Sequence, residues 1–203
     1  MARIKVPRKS TALDMTAMCD VAFLLLTFFI LTAKLRTEDP LHVDVPAAAA
    51  DLLVVPDDNI ATLNVGHNKI FFGIEGTDVR KALLEEMGKQ YKTTFTPEEQ
   101  QRFSVIPTFG VPMSQLHQFI ALDEEGRKTF PQPGIPVDTS ANNELASWIY
   151  QARLVQKNLK NQDLRFAIKG NAKDEYTQYK QVVDLFQKQG INKFSLITSL
   201  KGK

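Results

Sequence analysis

The sequence predicts a single N-terminal transmembrane helix followed by an α+β domain on the far side of the membrane. That domain consists of a β-hairpin, a helix and a strand–helix–strand unit, with a helical and loop insertion in its middle. Three observations predict this. Leu13 to Ala33 is an apolar stretch of membrane-spanning length, apolar residues alternate around Gly66-His67-Asn68, and residues 164 to 200 pass from strand period to helix period and back. The boundaries expected are 1–12 for a cytoplasmic N-terminus, 13–34 for the membrane helix, 35–58 for a linker and 59–203 for the outer domain. The insertion covers about 92–142.

A length of 203 residues suits one compact domain plus a tail, or two small domains. The chain is 43% hydrophobic and 24% charged, with mean hydropathy −0.20, but the apolar excess is concentrated in the first 35 residues. A net charge of +2, with no Lys/Arg stripe interleaved with aromatics, gives no basis for nucleic-acid binding. The single cysteine, Cys19, excludes an internal disulfide and any multi-cysteine metal site. His42, His67 and His117 lie far apart without ligand spacing, so no metal and no cofactor is expected. There is no phosphate-binding glycine loop, serine elbow or H-E-x-x-H, and "FFGIEGTD" lacks the phosphate-loop lysine. Asp57-Asp58 and Glu85-Glu86 read as solvated charge, and no enzymatic activity is expected.

The first element needs about 20 apolar residues to cross roughly 30 Å of hydrocarbon. Arg3, Lys5, Arg8 and Lys9 precede it, whereas Lys34 and Arg36 are soon followed by Glu38, Asp39 and Asp44. That asymmetry places the N-terminus in the cytoplasm and the rest outside the cytoplasmic membrane. A cleaved signal peptide is the rival reading. Against it stand Asp14, Asp20, the poor cleavage site Leu31-Thr32-Ala33, and a cysteine that precedes the apolar run rather than ending it.

From Val21 to Leu31 there are nine large apolar residues, one alanine and one threonine, with Asp20 at the edge. The nine favour insertion by about 4 kcal/mol in all, against roughly 2.5 to 3.5 for an aspartate near mid-helix. The segment inserts with Asp20 in place, but nothing in that balance favours keeping the residue. At about 100° per residue, Thr16, Asp20 and Thr27 fall within a stripe roughly 40° wide, with Asp14 nearly opposite. Such a stripe faces protein or water. Either Asp20 hydrogen-bonds a partner helix and fixes assembly, or it is a protonatable site on an ion path, neutral when lipid-facing and charged when hydrated.

"LDMTAMCDVAFLLLTFFILT" resembles the signature of the ExbD/TolR family of biopolymer transport proteins, a helix that ExbD and TolR share. In that family a basic N-terminus precedes a D-M-T-x-M-x-D-V-x-F-L-L-L-x-F-F helix. Asp14, Met15, Thr16, Met18, Asp20, Val21, Phe23, Leu24, Leu25, Leu26, Phe28 and Phe29 match it. Ala17 stands where proline is usual and Cys19 where an aliphatic residue is usual. The resemblance implies that Asp20 carries protons and that the helices pair as a homodimer inside a pentameric ring of ExbB-like (or TolQ-like) subunits. It implies further that proton flow drives a TonB-like (or TolA-like) protein across the periplasm. It also implies the bacterial inner membrane as location, the N-terminus being cytoplasmic and the C-terminal domain periplasmic.

After the helix, Arg36 to Asn59 holds three prolines, four consecutive alanines and scattered acids, and reads as an extended linker. Within it "LHVDVP" resembles the V-D-L-P segment that follows the family helix. Val43, Asp44, Val45 and Pro46 are either a contact with the partner ring or a spacer. "NIATLNVGHNKIFFGIEG" then reads as a hairpin. "TDVRKALLEEMGKQY" follows as a helix with Thr77 as N-cap and Val79, Leu83, Leu84, Met87 and Tyr91 on its apolar face.

In the insertion, Thr96, Pro97 and Glu99 spell a capping-box helix start. "MSQLHQFIAL" is a short helix, and "FPQPGIPVD" a loop. "ANNELASWIYQARLVQKN" is the next helix, with Leu145, Trp148, Ile149, Ala152 and Val155 at core spacing and Trp148 in the core. The insertion as a whole is a docking surface or a family elaboration. "LRFAIKG" alternates Leu164, Phe166 and Ile168 as a half-buried strand. "DEYTQYKQVVDLFQKQG" is a helix with Tyr176, Tyr179, Val183 and Phe186 on one face and Gly190 at C′. "INKFSLITSL" is a strand parallel to the previous one.

Two functional classes follow. One is a proton-coupled subunit of an energising motor; the other is a passive membrane-anchored binding module. Within the first, an ExbD-like chain energises TonB-dependent uptake of iron chelates, vitamins and glycans, whereas a TolR-like chain maintains the envelope and can bind peptidoglycan. The V-D-x-P linker and the long insertion favour ExbD.

Overall fold

A computed structural model describes residues 15–32, 47–48, 59–137, 143–170, 176–197 and 199–200. The chain divides into two units, residues 1–38 and 39–203.

The first unit contains α1, Met15–Thr32, a continuous helix of 18 residues with no buried side chain. At 1.5 Å per residue it is about 27 Å long, and it is long and apolar enough to cross a membrane. The ends of the expected span, residues 13, 14, 33 and 34, lie outside the described residues.

The second unit is a mixed α/β domain. β2 (Ile60–Gly66) and β3 (Lys69–Ile74) form the expected hairpin. His67 and Asn68 turn it with φ of 51° and 61°. Two consecutive positive φ values define the type I′ turn, whose twist matches the strands it joins. α2 (Thr77–Tyr91) buries Val79, Leu83, Leu84 and Met87, with Tyr91 partly buried. Its N-cap is Gly76 rather than Thr77, at φ 100°, and no side chain caps it. Glycine wins because that dihedral, where the chain leaves β3, is strained for a threonine.

Next come α3 (Pro97–Ser104), β4 (Thr108–Phe109), α4 (Met113–Ala121) and α5 (Glu124–Thr129). The capping box is present: Thr96 Oγ1 accepts from Glu99 N and Glu99 Oε2 accepts from Thr96 N. β4 and α5 were not expected, and β4 pairs antiparallel with β3 through Phe72 and Gly73.

α6 (Glu144–Lys160) starts at Asn143, whose side chain accepts from Ala146 N, and buries Leu145, Trp148, Ile149, Ala152 and Val155 as its spacing predicts. β5 (Arg165–Gly170), α7 (Tyr176–Lys188) and β6 (Phe194–Ile197) complete the strand–helix–strand unit, with β6 parallel to β5 as expected. α7 ends in a Schellman arrangement: Ile191 N donates to Phe186 O, Gly190 N donates to Gln187 O, and Gly190 takes φ 72°.

Two expectations are corrected. β5 is buried on both faces, since Phe166, Ala167 and Ile168 are all buried, because it lies inside the sheet between β2 and β6. The buried stripe of α7 runs through Val182, Leu185 and Phe186, with Tyr179 and Val183 only on its flank. The side chain of Tyr176 lies outside the described residues.

The sheet has the order β4-β3-β2-β5-β6. Its centre is a parallel pair, β2 with β5, in the register Ile60↔Arg165 to Val65↔Gly170. Ala61, Leu63, Val65, Ile70, Phe72, Ile74, Phe166 and Ile168 form one core with residues of α2, α6 and α7. The same core takes Phe103, Ile106, Phe109, Leu116, Phe119 and Ile120 from the insertion. The insertion is thus built into the domain rather than laid on it. Within the segment expected as linker, β1 (Ala47–Ala48) pairs parallel with β7 (Ser199–Leu200).

Candidate functional site

The chemistry-bearing feature of the sequence is the carboxylate of α1. Because α1 is helical without a break from Met15 to Thr32, the 100° step holds, and Thr16, Asp20 and Thr27 share one stripe. Phe23 lies at its edge and widens the stripe to about 60°. The spacing 16, 20, 23, 27 is that of alternating d and a positions in a heptad, the seam along which two helices pack. The sequence carried this signal in its i, i+4, i+7, i+11 spacing, but attention to polar residues alone passes over the phenylalanine.

The polar groups of the stripe differ in what they still require. Thr27 donates its hydroxyl to Leu24 O at 2.9 Å, as Thr32, on the opposite side of the helix, does to Phe28 O at 2.8 Å. Such backbone bonds satisfy a hydroxyl inside its own helix. Thr16 is also engaged. Asp20 is exposed on α1 and makes no hydrogen bond or ion pair with the described residues. A carboxylate in hydrocarbon without a partner is costly, so Asp20 is the group of this helix that calls for protein, water or a proton from outside. Cys19 beside it is exposed and free. Asp14 and the linker residues Val43, Asp44, Val45 and Pro46 lie outside the described residues.

In the α/β domain the sequence predicted Trp148 as core, and it is: its exposure is 0%. Its ring centroid is 4.8 Å from Phe109, 6.2 Å from Phe103 and 6.4 Å from Phe72. Two of those rings come from the insertion. No group of three or more His, Cys, Asp or Glu side chains able to hold a metal ion occurs among the described residues.

A second polar cluster joins α3 to α4. His117 stacks on Phe95 at 4.5 Å, and its Nδ1 lies 2.8 Å from Glu99 Oε1 while the other carboxylate oxygen serves the capping box. Partial desolvation pushes the Glu99 pKa up, but the bonds from His117 and from Thr96 outweigh it and hold the carboxyl below its ordinary value. A depressed carboxyl contributes stability that is complete above its unfolded pKa and is lost as pH falls through its folded one. Acidification below about pH 4, the ordinary carboxylate range, is therefore expected to remove this contribution. Urea midpoints of wild type and Glu99→Gln, compared from neutral to acid pH, should differ at neutrality and converge in acid. A constant difference would contradict the assignment. Thr96→Ala removes the cap itself and is expected to cost about 1 kcal/mol in the same measurement; a change within error would show that the cap contributes nothing to stability.

A family model described as "Biopolymer transport protein ExbD/TolR" matches residues 7–201, from the basic N-terminus to the last strand. No curated protein and no solved structure matches the chain significantly.

Proposed function

Since the chain belongs to the ExbD/TolR family of biopolymer transport proteins, we propose that it is an ExbD-like subunit of an inner-membrane complex driven by the proton-motive force. In this reading it energises TonB-dependent transport across the outer membrane. The observation that carries the reading is Asp20, a carboxylate with no partner among the described residues, on an apolar helix of membrane-spanning length.

Asp20 is the proton carrier. A charge moved across 100 mV is worth about 2.3 kcal/mol, enough to bias a conformational step each time the group releases its proton. Two copies of α1 pair along the seam of Thr16, Asp20, Phe23 and Thr27 within an ExbB-like pentameric ring, and their motion acts on a TonB-like protein. The basic N-terminus, Arg3, Lys5, Arg8 and Lys9, keeps residues 1–12 cytoplasmic, so that the linker 35–58 and the domain 59–203 are periplasmic. Val43 to Pro46 contact the ring where the chain leaves the membrane.

The test is to make this chain the sole family member in cells that require TonB-dependent uptake. Growth on such a substrate, with co-purification of an ExbB-like ring, is expected. Failure of uptake combined with rescue of detergent sensitivity would move the chain to the TolR role of envelope maintenance. Rescue of neither would leave a passive anchored module.

A further inference from the structure

α6 has a second face that the fold does not use. Its buried stripe is Leu145, Trp148, Ile149, Ala152, Val155 and Gln156. Tyr150, Arg153, Leu154 and Lys157 lie together on a different arc, about 100° wide by the helix step. On a solvent-facing arc these would ordinarily all be polar, yet Tyr150 is 53% exposed and Leu154 42%. They line a hollow of about 600 Å³, open along one side, whose floor is completed by Leu164 and Ile191.

The rim of this hollow is basic. Arg153, Lys157 and Lys193 stand around it, and Asp163 is the one acidic residue among its lining. Asp163 is paired with Lys157 at 3.0 Å, and its side chain is 92% exposed. Arg153 spends one N–H on Gln189 O, at 2.9 Å, where α7 ends. Cations at the last turn of α6 have an ordinary explanation, since they complement the carbonyl end of a helix. That covers Lys157 but not the rest. Arg153 sits just over one turn earlier and spends one donor on the carbonyl end of α7, which leaves its other donors toward the hollow. Lys193 precedes β6 rather than ending a helix. The hollow therefore joins an apolar floor to an excess of positive charge.

We propose that this hollow is a docking groove for an extended peptide segment of a partner protein, one in which carboxylates alternate with apolar side chains. The apolar side chains settle between Tyr150, Leu154, Leu164 and Ile191, and the carboxylates meet Arg153, Lys157 and Lys193. The hollow is open to solvent along one side, so its occupant stays exposed on that side, as a peptide laid across a surface does. Charge on the rim steers the encounter and selects the partner, while the floor supplies the contact area. The proposal goes beyond the proton-carrying reading and is independent of it, because no residue of the groove lies on α1.

The test uses the full chain in detergent micelles and a short fluorescein-labelled peptide alternating leucine and glutamate, followed by fluorescence anisotropy. Binding that weakens with added salt is expected. Lys193→Glu should weaken it about three- to tenfold, and Leu154→Asn about fivefold through the floor. Asp163→Asn removes the competing carboxylate, releases Lys157 and should tighten binding. Circular dichroism checks that each variant is folded. The proposal is overturned if wild type does not bind, if the all-glutamine peptide binds equally well, or if none of the three substitutions changes the affinity. Binding of a peptidoglycan fragment instead, lost in the same variants, would also overturn it by giving the hollow a carbohydrate occupant.

Discussion

Asp20→Asn is expected to abolish energised transport while leaving the chain inserted and assembled. Asparagine has nearly the shape of a protonated aspartate and keeps the capacity to hydrogen-bond a neighbouring helix, so a role in assembly alone would survive the change. Insertion should not suffer, because Asp20 lies toward the N-terminal end of the apolar run and a neutral amide is no harder to insert there than a carboxylate. What asparagine cannot do is take up and release a proton. Everything the helix needs for folding and pairing is retained, and the one property removed is titration. Growth on a substrate requiring TonB-dependent uptake, at matched membrane levels and with ring co-purification measured in parallel, decides the matter. Normal growth of the variant would end the proton-carrier reading and leave Asp20 as a pairing contact.

The largest loss of stability is expected from Trp148→Ala. The indole is completely buried among Phe72, Phe103 and Phe109, and truncation of such a side chain removes its transfer energy and leaves a cavity, about 3–5 kcal/mol in total. Trp148→Phe should be far milder. Its ring still fills most of the space, and the indole Nε1 has no hydrogen-bond partner among the described residues, so removing that buried donor offsets part of the lost packing. Urea unfolding followed by far-ultraviolet circular dichroism separates the two. A loss under about 1 kcal/mol for the alanine variant would show that the cluster collapses around the gap.

These two residues also mark how far the sequence reaches. Asp20 stands out in the sequence because a carboxylate in a run of large apolar residues calls for a partner or a proton, and the surrounding D-M-T-x-M-x-D-V pattern is that of the family whose model matches the chain. Trp148 is legible as core because Leu145, Trp148, Ile149, Ala152 and Val155 repeat at helix spacing. The hairpin, the capping box at Thr96 and the glycine end of α7 are legible for the same reason: each is written in residues close together in sequence.

The rest depends on partners far away. β4 is two residues long, too short to show a period, and exists because Phe109 and Thr108 pair with β3. Ala167 reads as the outward position of a half-buried strand, and only the neighbours β2 and β6 make it buried. Gly76 displaces Thr77 as cap because the exit from β3 sets the backbone angle. The groove beside α6 escaped notice because Tyr150, Arg153, Leu154 and Lys157 look like an ordinary mixed surface until Leu164 and Ile191 are brought up against them.

The parallel seam at the centre of the sheet has a consequence for the order in which the domain folds. Ile60 pairs with Arg165, so closing that contact shuts a loop of about 105 residues, at an entropic cost near 4 kcal/mol on the logarithmic loop law. The β2–β3 hairpin closes over a two-residue turn and costs about 3 kcal/mol less by the same law. As the chain emerges from a membrane or a ribosome, the hairpin is therefore ready early and must wait, with one side of β2 unpaired, until β5 arrives. The intervening α2, the insertion and α6 gather while it waits. Folding of this domain should be slow for its size, and a chain cut short before Arg165 would leave β2 as a bare template for strand pairing with its own kind.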